Sequence, residues 1–168
     1  VRDIDWNVTY RMGRPFVKRY REERELAMIL AVDVSASSAF GSLRRTKREY
    51  ASEVASTLAF SAARSSDKVG LLLFTNKVEL FLPPRKGRRH ILRVLRELLF
   101  FEPQGKGTSI SAGLAFLNHV LRRRSVVFLL TDFLHSFGTR KVQAQGRRDL
   151  LQELGLTNAR HDLVCLHL

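Results

Sequence analysis

Cysteine is almost missing from this chain: Cys165 stands alone among 168 residues. No internal disulfide can close, and a reducing, cytoplasmic setting is expected over an oxidising one. Proline is equally scarce, with four residues, and no Gly/Ser-rich linker or internal repeat occurs, which sets aside collagen-like and low-complexity classes. Long hydrophobic runs are lacking too. The apolar stretches 26–32 and 126–130 fall far short of the roughly 20 residues that cross a bilayer, so nothing in this stretch is expected to span a membrane. No signal peptide is evident, and the opening residue is Val1, as expected of a piece of a longer protein. What is present is globular: 45% hydrophobic and 27% charged residues, enough for one domain with a real core.

Acidic residues are also few. Sixteen Asp and Glu stand against 29 Lys and Arg, a formal net charge of +13. Such a charge fits a solvated basic surface, an acidic protein or membrane surface, or nucleic acid. The basic residues fall in separate clusters: Arg44, Arg45, Lys47 and Arg48; Arg85, Lys86, Arg88 and Arg89; Arg122, Arg123 and Arg124; Arg147 and Arg148. Most sit where a helix would begin or end, and few aromatics are interleaved as a stacking surface requires. Nucleic acid is therefore the poorest fit of the three.

Hydrophobic periods alternate along the chain. Residues 26–32 are continuously apolar and end at Asp33, as a parallel strand buried on both faces reads. Tyr50, Ala51, Val54, Ala55, Leu58, Ala59 and Ala62 recur at helical spacing and predict an amphipathic helix over 46–64. Residues 69–74 read as a second buried strand, turning through Thr75, Asn76 and Lys77 into a hairpin partner over 78–82 that Pro83 and Pro84 should end. Ile91, Leu95 and Leu98 mark a helix over 88–99. After a Gly-rich loop at 105–107, Ile110, Leu114, Leu117 and Leu121 mark another. Residues 126–130 predict a third buried strand, 149–154 a helix and 163–166 a last strand. Strands alternating with helices predict an α/β fold, Rossmann-like, with a mainly parallel central sheet, one antiparallel edge strand and helices on both faces. Residues 1–25, with Ile4, Trp6 and Tyr10 as apolar anchors and a stretch over 16–20 that could be extended, read as an extension packed on the domain formed by 26–168.

Ligands of open parallel sheets bind beyond the carboxyl ends of the strands. Asp33, Ser35 and Ser37 follow the first strand at alternating positions, Asp132 follows the third, and Thr108 lies in the loop before the intervening helix. Three hydroxyls and two carboxylates suit a hard divalent cation, which takes oxygen ligands. Each residue could equally be a cap or turn former; as a set, they would gather at one rim. Phe40, Phe133 and His135 follow these segments and would border the metal, although an aromatic beside a strand end can also belong to the core.

The run Asp33-Val34-Ser35-Ala36-Ser37, with Thr108 in a Gly-flanked loop and Asp132 after a hydrophobic strand, resembles the metal-ion-dependent adhesion site of von Willebrand factor A-type domains. More narrowly, Ile4-Asp5-Trp6-Asn7, Glu22-Glu23-Arg24-Glu25, Val69-Gly70-Leu71-Leu72-Leu73-Phe74, Leu82-Pro83-Pro84 and Thr131-Asp132-Phe133 resemble a bacterial and archaeal family of unknown function whose members are commonly encoded beside MoxR-type AAA+ ATPases. The resemblance implies Mg2+, or Mn2+ in its place, bound directly by Ser35, Ser37 and in some states Thr108, with Asp33 and Asp132 acting largely through water. It implies a protein partner, linked to an AAA+ ATPase, that supplies an Asp or Glu to the ion. It also implies hydrophobic segments and a further domain outside this stretch, hence membrane association of the full-length protein. That fold usually continues with a helix after the last strand, so a truncated C-terminal edge is expected at Leu168.

Catalytic alternatives fare worse on the same residues. A magnesium-dependent hydrolase of the haloacid dehalogenase type needs a second Asp where Ser35 stands. A phosphate-binding loop at Gly105-Lys106-Gly107-Thr108 has Phe100 in place of its first glycine and Gly107 after the lysine. No Gly-x-Ser-x-Gly elbow accompanies His90, His119, His135, His161 or His167. The expectation is a non-enzymatic interaction domain, with a basic module that binds nucleic acid or a membrane surface as the alternative.

Overall fold

The computed structural model describes residues 6–14, 26–35, 41–42, 45–105, 107–133 and 140–168. The elements in order are α1 (Trp6–Met12), β1 (Ala27–Asp33), the two-residue strands β2 (Gly41–Ser42) and β3 (Arg45–Thr46), α2 (Lys47–Arg64), β4 (Lys68–Phe74), β5 (Val78–Arg85), α3 (Arg88–Phe100), α4 (Ile110–Val120), β6 (Val126–Thr131), α5 (Arg140–Arg160) and β7 (Asp162–His167). Among the described residues, five strands form one sheet in the order β5-β4-β1-β6-β7. β1 pairs in parallel with both β4 and β6, β6 pairs in parallel with β7, and β5 returns antiparallel along β4. The α/β architecture with one antiparallel edge is the one the alternating periods predict.

The pleat sorts the core. Leu30 and Val32 of β1, with Leu71 and Leu73 of β4, pack against Ala51, Ala55 and Ala59 of α2 and Ile91, Val94 and Leu98 of α3. Ile29, Ala31, Leu72 and Phe74 face the other way, against Ile110, Leu114 and Leu117 of α4. Because the central strands are covered on both sides, their runs are continuously apolar rather than alternating. The small side chains of α2 let that helix sit close to the sheet, and Ser52 Oγ donates to the Leu98 carbonyl of α3 at 3.1 Å.

Three elements differ from the sequence expectation. β5 does not stop at Pro83 but runs through Pro84 to Arg85. It is an edge strand, where a missing N–H is tolerated, and its register against β4 shifts between Val69 and Leu71. Gly70 lies at that shift, where an added Cβ would come within 2.9 Å of Ile29 Cδ1 and 3.0 Å of the Leu82 carbonyl. α5 spans 21 residues instead of 149–154, and polar side chains fasten its C-terminal half: Asn118 Nδ2 of α4 donates to Glu153 Oε2 and to Thr157 Oγ1, both at 2.9 Å. Trp6 and Tyr10, expected to be anchors, are exposed on α1; Ile4 and residues 16–20 lie outside the described residues.

Candidate metal centre

β1 connects through α2 to β4 on one side, while β6 takes its place on the other side of β1. That is the topological switch point, where the carboxyl ends of two neighbouring strands open a crevice. Asp33 is the last residue of β1, and Asp132 directly follows β6. Both carboxylates are buried, as are Ser35 and Thr108.

The described members of the set are held by specific bonds. The backbone N–H of Ser35 donates to Asp33 Oδ1 at 2.9 Å, and Thr131 Oγ1 donates to Asp33 Oδ2 at 2.9 Å. Thr108 Oγ1 donates to Ser35 Oγ at 2.7 Å, across 73 residues of sequence. The structure thus brings Asp33, Ser35 and Thr108 into one hydrogen-bonded group with Thr131, while Asp132 adds its charge beside Asp33. Burial lifts the Asp33 carboxyl above its ordinary range; the bonds from Ser35 and Thr131 pull it down, and the nearby Asp132 raises it further. Two buried carboxylates at one rim call for countercharge. Part of it comes from Lys47, at the start of α2, whose Nζ lies 3.4 Å from Asp132 Oδ2.

The loop bearing Thr108 is fastened from beneath by β5. Glu79 Oε1 accepts from Thr75 Oγ1 at 2.8 Å and from the Gly105 N–H at 2.6 Å. The Ser109 N–H donates to the Thr75 carbonyl at 2.8 Å, and Ser109 caps α4 by accepting from the Ala112 N–H. Burial works against the Glu79 charge, but the bonds from Thr75, Gly105 and Gln104, with Lys77 nearby, hold its carboxyl below the usual value.

Thr131, Lys47, Thr75 and Glu79 were not expected in the site. Lys47 reads as the polar face of a helix and Glu79 as the solvent side of a hairpin, and only their neighbours in space reveal otherwise. Phe133 is half-buried; its φ of 53° is in the left-handed region, and its ring stacks on His167 at a centroid distance of 6.2 Å. It packs against the core on the α4 side. Ser37, Phe40 and His135 lie outside the described residues. Among the described residues no three His, Cys, Asp or Glu side chains group as a metal cluster. The oxygen set here is instead two carboxylates with two hydroxyls, a donor chemistry that fits a hard divalent ion.

A family model described as a protein of unknown function, DUF58, matches residues 1–168. Uncharacterized proteins of Mycobacterium tuberculosis and Mycobacterium bovis are each 32% identical over 136 residues, covering 80% of this chain and 43% of the relative. The chain therefore spans less than half the length of those relatives. Among solved structures, an aerotolerance-related membrane protein from Bacteroides fragilis superposes with a TM-score of 0.64 at 17% identity, covering 84% of this chain and 67% of that one. The conserved hypothetical protein BatB from Bacteroides thetaiotaomicron gives 0.62 at 16% identity, covering 84% and 66%. The vWF domain of the type V pili tip protein Mfa5 from Porphyromonas gingivalis gives 0.53 at 14%, covering 66% and 38%. At these identities the likeness is one of fold, and the fold is von Willebrand A-like.

Proposed function

The chain belongs to the DUF58 family of proteins of unknown function, and from that premise we propose that it is a divalent-cation-dependent protein-interaction domain rather than an enzyme. The observation that carries the reading is the hydrogen-bonded convergence of buried Asp33, Ser35 and Thr108 at the switch point. A fold needs caps and turns at strand ends, but it does not need two hydroxyls and a carboxylate from segments 73 residues apart buried against one another.

Asp33, Ser35, Thr108 and Asp132 would hold Mg2+ or Mn2+, with Ser37 as the fifth candidate from the sequence. A bound ion supplies an open coordination position for a carboxylate oxygen from outside. The chain's own contribution is orientation. Thr131 and the Ser35 N–H fix both oxygens of Asp33, and Glu79 fixes the loop that presents Thr108. Hydroxyl ligands carry no charge, so the ion keeps enough positive potential to attract an Asp or Glu of a partner. The partner class proposed is an acidic segment of a protein working with a MoxR-type AAA+ ATPase.

The test is thermal unfolding in chelator and then across a Mg2+ or Mn2+ series, beside Asp33→Ala. A ligand that binds only the folded state at a hundredfold excess over its Kd stabilises by about 2.7 kcal/mol. The wild type should gain stability and the variant should not. Equal curves for both would remove the cation from the proposal. Capture of a MoxR-type ATPase that survives both chelator and Asp132→Ala would remove the metal bridge.

A further inference from the structure

α3 carries a second surface, unrelated to the rim. Ile91, Val94, Leu95 and Leu98 face the core. At 100° per residue, the solvent side forms an arc of roughly 140° that holds Arg88, Arg89, Arg93 and Arg96 interleaved with Leu92, Leu99 and Phe100. The three apolar side chains are 53%, 56% and 76% exposed. Within α3 no acidic residue occurs across this arc; Glu97 lies at its margin, and Glu49 and Glu53 of α2 line the groove on the Leu99 side.

This charge does nothing for the helix. Arg88 and Arg89 occupy the first turn, where the helix dipole disfavours cations, and neither an acidic residue in the first turn nor a basic one in the last offsets them. Gly87 at the N-cap offers no side-chain bond. Among the described residues, no carboxylate comes within ion-pair distance of Arg88, Arg89, Arg93 or Arg96, whereas Arg124 pairs with Asp162 at 2.6 Å. A local preference broken without gain to stability points to function.

We propose that the exposed face of α3 docks on an anionic phospholipid bilayer. Charge complementarity selects the partner: guanidinium groups meet lipid phosphates, and a net charge of +13 favours approach to an anionic surface. The apolar residues decide against a nucleic-acid duplex, which gives Leu92 and Leu99 nothing to bury against. A bilayer takes both kinds of side chain at once, the leucines and Phe100 entering the headgroup boundary while the arginine stems lie along it. The 13-residue helix is about 20 Å long and would lie in the membrane plane. Arg48 of α2 donates to the Phe101 carbonyl, which fixes the end of α3 that carries Phe100.

The test is flotation of this chain, in chelator so that the rim plays no part, with vesicles of phosphatidylcholine alone or with one part phosphatidylglycerol to two parts phosphatidylcholine. Binding is expected only to the anionic vesicles. The triple variant Arg89→Gln/Arg93→Gln/Arg96→Gln should lose roughly 100-fold in affinity, about fivefold per residue. A control that removes the same charge elsewhere, Arg122→Gln/Arg123→Gln/Arg147→Gln, should lose far less. Leu99→Ser/Phe100→Ser, which keeps the charge, should lose roughly tenfold. Four results would each overturn the proposal: no binding to anionic vesicles, equal losses from the two arginine triples, no loss from the apolar pair, or binding to duplex DNA without binding to vesicles. Unchanged melting temperatures of these surface variants would tie each loss to the face itself.

Discussion

Thr131 Oγ1 donates to Asp33 Oδ2 at 2.9 Å, joining the last residues of two strands that run in parallel through the centre of the sheet. The same oxygen accepts the Phe133 N–H at 3.3 Å, so one hydroxyl orients the carboxylate and the turn after β6. Thr131→Val keeps the shape and removes both bonds. A buried acceptor left unmet costs about 1–3 kcal/mol, and urea denaturation in chelator should show a loss of that size, with Thr131→Ser recovering most of it. A valine variant as stable as the wild type would show that the bond contributes nothing.

Lys47 should behave as a tethered cation at Asp132. Its ammonium is partly exposed and screened by solvent, so Lys47→Met should cost only about 1 kcal/mol in chelator. Removing that positive charge also removes a repulsion that an incoming divalent ion would meet. With the proposed cation site, the variant should therefore bind Mg2+ several-fold more tightly, read as the ion concentration that gives half the thermal stabilisation. Weaker ion binding in Lys47→Met would show that the lysine supports the ion instead of competing with it.

The elements most legible in the sequence were those whose burial is uniform. Residues 27–33, 68–74 and 126–131 are covered on both faces, so their apolar runs, ending in Asp33 and Asp132, announced both the sheet and the rim. Legibility failed where tertiary context overrode local chemistry. Pro83 and Pro84 stay in β5 because an edge strand does not need their N–H groups. α5 has no clean apolar stripe to show its full length, and the side-chain bonds that tie its C-terminal half to α4 through Asn118, Glu153 and Thr157 leave no local pattern. The hold of Glu79 on Gly105 spans 26 residues and leaves no local pattern.

Gly105 is where that hold admits no side chain. An added Cβ would overlap Thr75 Oγ1 and come within 2.5 Å of Asn76 Oδ1 and 2.7 Å of Glu79 Oε1. Gly105→Ala should therefore push the Thr108 loop off its seat and destabilise the fold by about 1–3 kcal/mol, as overpacking does. Glu79→Gln keeps the size and weakens the acceptor, so it should lose less than Gly105→Ala. Because the Glu79 carboxyl sits below its ordinary value, its contribution is present above about pH 4.5 and falls away as acid titrates the folded state. Glu79→Gln should flatten that part of the stability profile. An alanine variant with unchanged stability and ion response would show that the loop is not seated this way.

His161 sets the pH dependence at a higher window. Its ring is buried at the junction of α5 and β7, and neither nitrogen has a hydrogen-bond partner among the described residues. Burial lowers its pKa, Arg160 and Arg124 add to the effect, and Asp162 opposes it. The folded chain thus keeps the ring neutral where the unfolded chain, titrating near 6.5, takes up a proton. Stability is full above that value and is lost as pH falls below it, by up to about 1.4 kcal/mol per pH unit until the folded ring also protonates. His161→Leu replaces an unpaired polar ring with an apolar side chain, so it should be at least as stable at neutral pH. It should also decline less than the wild type between about pH 6.5 and 5. Urea midpoints across that range test the difference directly, since the carboxylates at the rim titrate equally in both proteins. Parallel decline of the two curves would assign the acid sensitivity to groups other than His161.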